Sequence, residues 1–258
     1  MLTLAEVIEA LTGQKISLGS GQPVTDVVTD SRLAIPGCLF IAIQGEKRHG
    51  HEFVSSAFGA GAVAALVEAD LTFDCQHVDL RGGLDPPPAT LELPICLRVE
   101  SSLEALQELA SFWRVQHHPR VIGITGSVGK TTTKEMVAAV LARRYNTLRS
   151  RGSYNNEIGV PLTLLQLTGA HERVILEMGM YDVGEIADLA RIARPHVGVV
   201  TNVGPVHLER AGTMERIAAA KAELVEALPP DGTAILNYDD PLVRGMAEKT
   251  QGLSLIHI

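Results

Sequence analysis

Basic residues are the minority charge in this chain. Lysine and arginine number 22 against 30 acidic residues, a formal net charge of −8. Nucleic acid and anionic membrane surfaces attract basic proteins, so neither is expected as the main partner, although a local basic site for phosphates is still allowed. Cysteine is also scarce. Cys38, Cys75 and Cys96 are odd in number, and their spacing is not that of a metal site. The expectation is reduced thiols in a cytoplasmic compartment. No apolar run approaches the roughly 18 residues that a membrane span needs. The first residues lack the basic start of a secretory signal and carry Glu6 and Glu9 instead.

What is present is ordinary globular material, 46% hydrophobic and 20% charged over 258 residues. That length suits about two domains. Thr3 and Glu6 form a capping-box pattern ahead of Leu4, Val7, Ile8 and Leu11, and Gly13 marks the end of this first helix. Residues 26–29 and 38–43 read as strands, 54–62 as a helix and 64–67 as another strand. The first hundred residues are therefore a small α/β unit. Gly82-Gly83 and Pro86-Pro87-Pro88 are loop chemistry near a boundary. The expected division is a first domain over 1–98 and a second over 99–252.

From Ser101 the pattern changes. Residues 102–117 read as a helix with Leu103, Leu106, Leu109, Ala110 and Trp113 on one face. The apolar runs 121–125, 174–176 and 197–200 follow, separated by helical stretches. Strands alternating with helices predict a mostly parallel sheet covered on both faces, with ligands at the carboxyl ends of its strands.

One such strand end opens into Gly126-Ser127-Val128-Gly129-Lys130-Thr131-Thr132. Residues 131–144 then read as a helix with Met136, Val137, Val140 and Leu141 inward. Glycines let backbone N–H groups turn toward a phosphate, and a helix N-terminus adds partial positive charge. Lys130 can neutralise a terminal phosphate and Thr131 can hold Mg²⁺, which points to ATP. The strict spacing wants glycine at 124, where Ile124 stands and Gly123 is one place early.

Further residues share the expected crevice. Glu177 ends the run 174–176, as a metal-holding acid or a solvated strand end. His207 follows the strand 197–200, and a lone histidine there is structural or a ligand. Thr213 can cap a helix to about Leu228 whose buried stripe of Ile217, Leu224, Val225 and Leu228 includes Lys221. A bare ammonium there would be costly. Snorkelling to the edge answers that cost, and so does a neutral amine carbamylated by CO₂. Asn155 and Asn156 precede the apolar stretch 158–165, as turn formers or as substrate contacts.

The stretches 123–136, 155–164, Glu177-Met-Gly-Met with Gly184-Glu-Ile, and 201–209 resemble the Mur ligases. Within that family they are most similar to the MurF-type, the UDP-N-acetylmuramoyl-tripeptide–D-alanyl-D-alanine ligases. Asp30-Ser31-Arg32, 36–40 and 50–53 resemble the same family's UDP-sugar-binding domain. The resemblance implies that ATP phosphorylates the terminal carboxylate of UDP-MurNAc-tripeptide and that the amine of D-Ala-D-Ala attacks the acyl phosphate. It implies Mg²⁺ on Thr131, Glu177, His207 and carbamylated Lys221, with Ser31, Arg32 and Asn156 on the substrate side, in a monomer.

The family often carries Phe-Asp where this chain has Arg48-His49. A third domain that helps bind ATP and dipeptide is expected beyond residue 252. The chain alone is therefore expected to be incompetent for turnover, and residues 253–258 are expected to be a non-native tail. The rivals are a MurE-type ligase, folylpolyglutamate synthase and a non-catalytic nucleotide-binding module.

Overall fold

Thr3 and Glu6 cap each other as their spacing predicts. Glu6 N–H donates to the Thr3 hydroxyl, and Thr3 N–H donates to the Glu6 carboxylate at 2.8 Å. This starts helix α1 (Leu4–Thr12), which buries Leu4, Val7 and Ile8 and ends at Gly13. The computed structural model describes residues 1–16, 21–45, 49–72, 75–84, 90–205 and 213–256. The chain divides into two units, Met1–Trp113 and Arg114–Ile258. The division falls inside a helix, Ser102–Val115, whereas the expected boundary at 98 precedes that helix.

The first unit carries β1 (Val27–Val28), β2 (Leu39–Ile41), helix α2 (Val54–Gly59), β3 (Ala64–Val67), β4 (Gln76–Asp79), β5 (Ile95–Arg98) and most of α3 (Ser102–Val115). Its sheet runs β1-β2-β3-β5-β4, and every pairing is parallel. All four residues of β3 are buried, as expected of a strand covered on both faces. Cys38, Phe40, Val54, Ala57, Ala65, Val67 and Cys96 form a core cluster. The edge strand β4 buries only Val78 of its four residues, so no apolar run announces it.

The second unit carries β6 (Arg120–Thr125), α4 (Lys130–Leu141), β7 (Thr147–Arg149), α5 (Gly159–Leu164), β8 (Arg173–Glu177), α6 (Glu185–Ala193) and β9 (Val197–Val200). These are followed by α7 (Met214–Glu226), β10 (Thr233–Leu236), α8 (Pro241–Gly245) and β11 (Leu253–Ile256). Its sheet is parallel throughout in the order β11-β10-β9-β6-β8-β7. The expected tail thus contains β11, which pairs with β10 residue by residue from Thr233↔Leu253 to Leu236↔Ile256.

Helices cover both faces, and strand alternation says which side chain meets which helix. Ile122, Ile124 and Ile175 cluster with Ala138, Val137 and Leu141 of α4. Val200, Ala234 and Leu236 cluster with Ile217, Val225 and Leu228 of the α7 region. Each such fully buried aliphatic side chain contributes about 2 kcal/mol through area removed from water. The α/β fold class expected from the sequence is the one observed. The inward face of α4 is observed in part: Val137 and Leu141 pack against the core, whereas Met136 and Val140 are exposed and Lys134 and Ala138 are the buried positions. A buried lysine is invisible to an apolar-periodicity reading of that helix.

Gly123 and Gly198 are register partners in β6 and β9. A Cβ at Gly123 would stand 2.8 Å from Leu224 Cδ1, and one at Gly198 would stand 3.2 Å from Leu224 Cγ. Two glycines side by side let α7 settle close onto the sheet, and Lys221 lies on α7 one turn before Leu224. No helix among the described residues is long and apolar enough to cross a membrane.

Candidate functional site

β6 lies between β8 and β9, so the chain moves to one side of β6 and later to the other. That is a topological switch point, where open α/β sheets bind ligands beyond the strand ends. The loop 126–129 leaves β6 here and enters α4. Gly126 has φ +145° and Gly129 φ +84°. At Gly126 a Cβ would also run into the Thr201 hydroxyl. Only glycine fits there, for both reasons. The first-turn N–H groups of α4 have no intrahelical partner, and the helix end is electropositive, an arrangement that suits phosphate.

The loop is held from behind by the segment after β9. Thr201 donates its hydroxyl to the Val128 carbonyl at 2.7 Å. Asn202 accepts from Ser127 N–H through its backbone carbonyl and from Val128 N–H through Oδ1, both at 3.0 Å, and returns a bond from Nδ2 to the Val128 carbonyl. Ser127 Oγ accepts from Gly204 N–H at 2.7 Å and donates to the Gly204 carbonyl. Two loop N–H groups, of Ser127 and Val128, are thereby committed to the protein.

Lys130 folds back over the loop, donating to the Gly126 carbonyl at 2.8 Å and to Ser127's at 3.4 Å. Burial lowers its pKa, and the charge of Glu177 partly offsets that. Thr131 donates to Glu177 Oε2 at 2.9 Å. Thr132 is exposed on the first turn.

Glu177 is almost wholly buried at the end of β8. Its Oε1 accepts from Asn155 Nδ2 at 2.9 Å, and its N–H donates to Ser150 Oγ. Lys134, with no exposed surface, places its ammonium 4.0 Å from Oε2 and donates to the Gly152 carbonyl at 2.7 Å. The neighbouring Glu135 lies 3.2 Å from the same ammonium.

Lys221 is 2% exposed, within the stripe Ile217, Leu224, Val225 and Leu228 expected for it. Thr213 caps its helix through Arg216 N–H. Burial, and after it the charge of Lys130, lowers the Lys221 pKa to about 8. No carboxylate among the described residues pairs with it. His207 lies outside the described residues.

Lys130, Thr131 and Glu177 therefore share one end of the sheet, and Lys221 is near enough to Lys130 to feel its charge. Asn156 closes the turn that starts α5, its Oδ1 accepting from Gly159 N–H at 3.0 Å. Ser31 and Arg32 belong to the first unit, in a short 3-10 turn capped by Asp30. The Arg32 guanidinium lies against Asp30 at 2.6 Å, and that hydrogen bonding holds the Asp30 pKa down at about 2. Four contributors were not read from the sequence: Lys134, Asn155 in its contact with Glu177, Thr201 and Asn202. Lys134 carried a usable signal, since it stands three residues after Thr131 on one helix face.

A parallel sheet with a glycine-bearing loop at its switch point, a helix N-terminus and a buried acid beside it define a phosphate-loop α/β protein. Residues 124–256 match the model of the Mur ligase middle domain, and residues 23–114 match that of the Mur ligase family, catalytic domain. The chain belongs to the Mur ligase family.

It is 42% identical over 226 residues to the UDP-N-acetylmuramoyl-tripeptide–D-alanyl-D-alanine ligase of Synechocystis, covering 88% of this chain and 46% of that one. Against the same-named protein of Escherichia coli it is 37% identical, covering 93% and 48%. The crystal structure of MurF from Acinetobacter baumannii superposes with TM-score 0.82 at 30% identity, over 98% of this chain and 52% of that one. MurF ligase from Thermotoga maritima, solved in complex with ADP, superposes with TM-score 0.75 at 32% identity, over 90% and 49%. The chain spans about half the length of the relatives it matches.

Proposed function

We propose that this chain is the sugar-nucleotide- and ATP-binding portion of a MurF-type ligase. In that reading the whole protein joins D-Ala-D-Ala to UDP-MurNAc-tripeptide in the cytoplasm, acting as a monomer. The observation that carries it is the Thr131–Glu177 contact beside Lys130 at one strand end, together with a buried Lys221 that feels the charge of Lys130. The names of its relatives support the same reading.

A carboxylate is a poor electrophile, and transfer of a phosphoryl group to it supplies a leaving group. The dipeptide amine then displaces phosphate and forms the amide. The protein's share is positioning and charge neutralisation. The α4 N-terminus takes the phosphates, and Lys130 exchanges the Gly126 carbonyl for phosphate oxygen. The oxygen donors at the site fit a hard cation: a buried carboxylate and a hydroxyl 2.9 Å apart. Thr131, Glu177, His207 and Lys221 as a carbamate would hold Mg²⁺, which supplies neutralisation of phosphate charge.

Lys221 suits that role because its pKa near 8 leaves a share of neutral amine at neutral pH. The amine adds to CO₂, loses one proton and becomes a carbamate anion. Ser31 and Arg32 in the first unit, and Asn156 near α5, take the substrate side in this reading.

The test is phosphate release by a full-length protein carrying this chain. Release is expected only when ATP, UDP-MurNAc-tripeptide and D-Ala-D-Ala are all present, and Lys130→Met abolishes it. Equal release with a single amino acid in place of the dipeptide would sink the MurF-type assignment. A carbamate carbon signal from labelled bicarbonate, absent in Lys221→Ala, tests the lysine separately.

A further inference from the structure

The first unit brings three soft-ligand side chains together at the edge of its sheet, far along the sequence from the phosphate loop. Cys75 immediately precedes β4 and His77 is two residues on, so both leave the same side of the strand. Cys96 of β5 is the register partner of His77. Cys75 Sγ stands 3.1 Å from Cys96 Sγ and 3.4 Å from His77 Nε2. One ligand atom from each residue lies within 4.8 Å of the others. Cys96 is buried, Cys75 half-buried and His77 exposed, so the cluster opens to solvent on the histidine side.

We propose that Cys75, His77 and Cys96 bind a thiophilic divalent cation of the zinc class, completed by a water ligand. Two thiols and an imidazole are the donor set that such ions prefer over hard cations. Two thiolates about 2.3 Å from a tetrahedral ion stand about 3.8 Å apart, so the sulfur pair opens by about 0.7 Å on binding. Cys75 can supply that movement, since it lies just outside an edge strand.

Binding replaces two S–H bonds by two S–metal bonds and releases two protons. The two thiolates then balance the ion's double charge, and the imidazole stays neutral. This balance matters most at Cys96. Burial, and after it the hydrogen bond with Cys75, pushes that thiol well above the ordinary range, so a lone thiolate there is strongly disfavoured. With the ion present no net charge is buried. The ion would tie edge strand β4 to β5.

The spacing Cys75-Gln-His77 followed by a distant Cys96 is not a metal-site spacing in the sequence. Only the parallel pairing of β4 with β5 assembles it.

The experiment uses the 258-residue chain, reduced, stripped with a chelator and kept anaerobic. Cobalt(II) is titrated first, then zinc. The expected result is one equivalent of cobalt with thiolate charge-transfer absorption and the intense visible bands of a tetrahedral site. Zinc displaces it and raises the thermal midpoint.

His77→Ala and Cys75→Ser lie at or near the surface and keep the circular dichroism of the parent. Each is expected to weaken zinc binding at least tenfold and to abolish the midpoint rise. Absence of thiolate charge transfer overturns the proposal, as does unchanged binding in both variants. Loss of two thiols per chain on mild oxidation, with no metal uptake by the reduced chain, would also overturn it and make Cys75 and Cys96 a disulfide pair. No readout involves nucleotide, so the outcome is independent of the ligase assignment.

Discussion

The Thr131 hydroxyl donates to Glu177 Oε2 at 2.9 Å and ties the first turn of α4 to the carboxyl end of β8. A helix start and a strand end separated by 46 residues in sequence thereby present two oxygens to one point. Glu177→Gln keeps the shape and an acceptor but removes the charge. Affinity for ADP measured by calorimetry with Mg²⁺ is expected to fall roughly tenfold or more, as for other losses around a metal site. Without Mg²⁺ the variant and parent are expected to match, and an equal loss in both conditions would count against the metal role.

Lys134 holds the other side of this acid. It is fully buried, 4.0 Å from Glu177 Oε2 and 2.7 Å from the Gly152 carbonyl. Lys134→Ala leaves a buried carboxylate short of its cation and opens a cavity, a cost of about 3–5 kcal/mol in urea unfolding. Lys134→Met restores volume without the hydrogen bond and is expected to fall between parent and alanine variant. A neutral Lys134→Ala would show that the cation does not support the site.

Lys221 makes stability depend on pH. Its folded pKa is about 8 against an ordinary 10.5, with burial as the main cause and Lys130 as the second. The folded state therefore releases its proton before the unfolded state does. The penalty of charging a buried amine is complete below about pH 8 and is relieved as pH rises through 8 toward 10.5. At neutral pH that penalty is about 3 kcal/mol. Lys221→Met is expected to be more stable than the parent at pH 7, with a shallower gain between pH 8 and 9.5. Urea midpoints across that range decide it, and a parallel pair of curves would refute it.

Gly126 and Thr201 make the loop a single steric solution. A side chain at Gly126 meets both an unfavourable φ of +145° and the Thr201 hydroxyl. Gly126→Ala is expected to abolish nucleotide binding, and pairing it with Thr201→Ala should not rescue it, because the φ strain remains. Thr201→Val alone removes the bond to the Val128 carbonyl and is expected to cost about 1 kcal/mol. Thermal melts and ADP titrations of the three variants separate the strain from the collision.

Arg32 offers a surface test of the first unit. Its side chain is 86% exposed and pairs only with nearby Asp30 among the described residues. Arg32→Ala is expected to leave the thermal midpoint unchanged while weakening binding of the UDP-sugar peptide, measured by calorimetry. Unchanged affinity would remove Arg32 from the substrate site.

Much of this architecture was legible in the residues. The capping box at Thr3 and Glu6, the run of apolar residues in β6 and the glycines at 126 and 129 are local features, and local physics decides them. The Lys221 stripe was equally readable, because Ile217, Leu224, Val225 and Leu228 repeat with the helix period and all are buried. The inward face of α4 is legible only at Val137 and Leu141, and not at Met136 and Val140, for the complementary reason. Its buried position 134 is a lysine, whose burial depends on Glu177 and Gly152, and both lie far along the chain. β4 was invisible because an edge strand with one buried residue has no apolar pattern to show.

The sequence by itself determined the loop, the parallel α/β class and the stripe that carries Lys221. Each of these follows from neighbours within a helix turn or a strand. Only the tertiary structure decided that Asn202 and Thr201 brace the loop, that Asn155 and Lys134 flank Glu177, and that Cys75, His77 and Cys96 meet. Those contacts come from the order and register of parallel strands. In parallel pairing every partner lies a crossover away, so no local pattern can encode it.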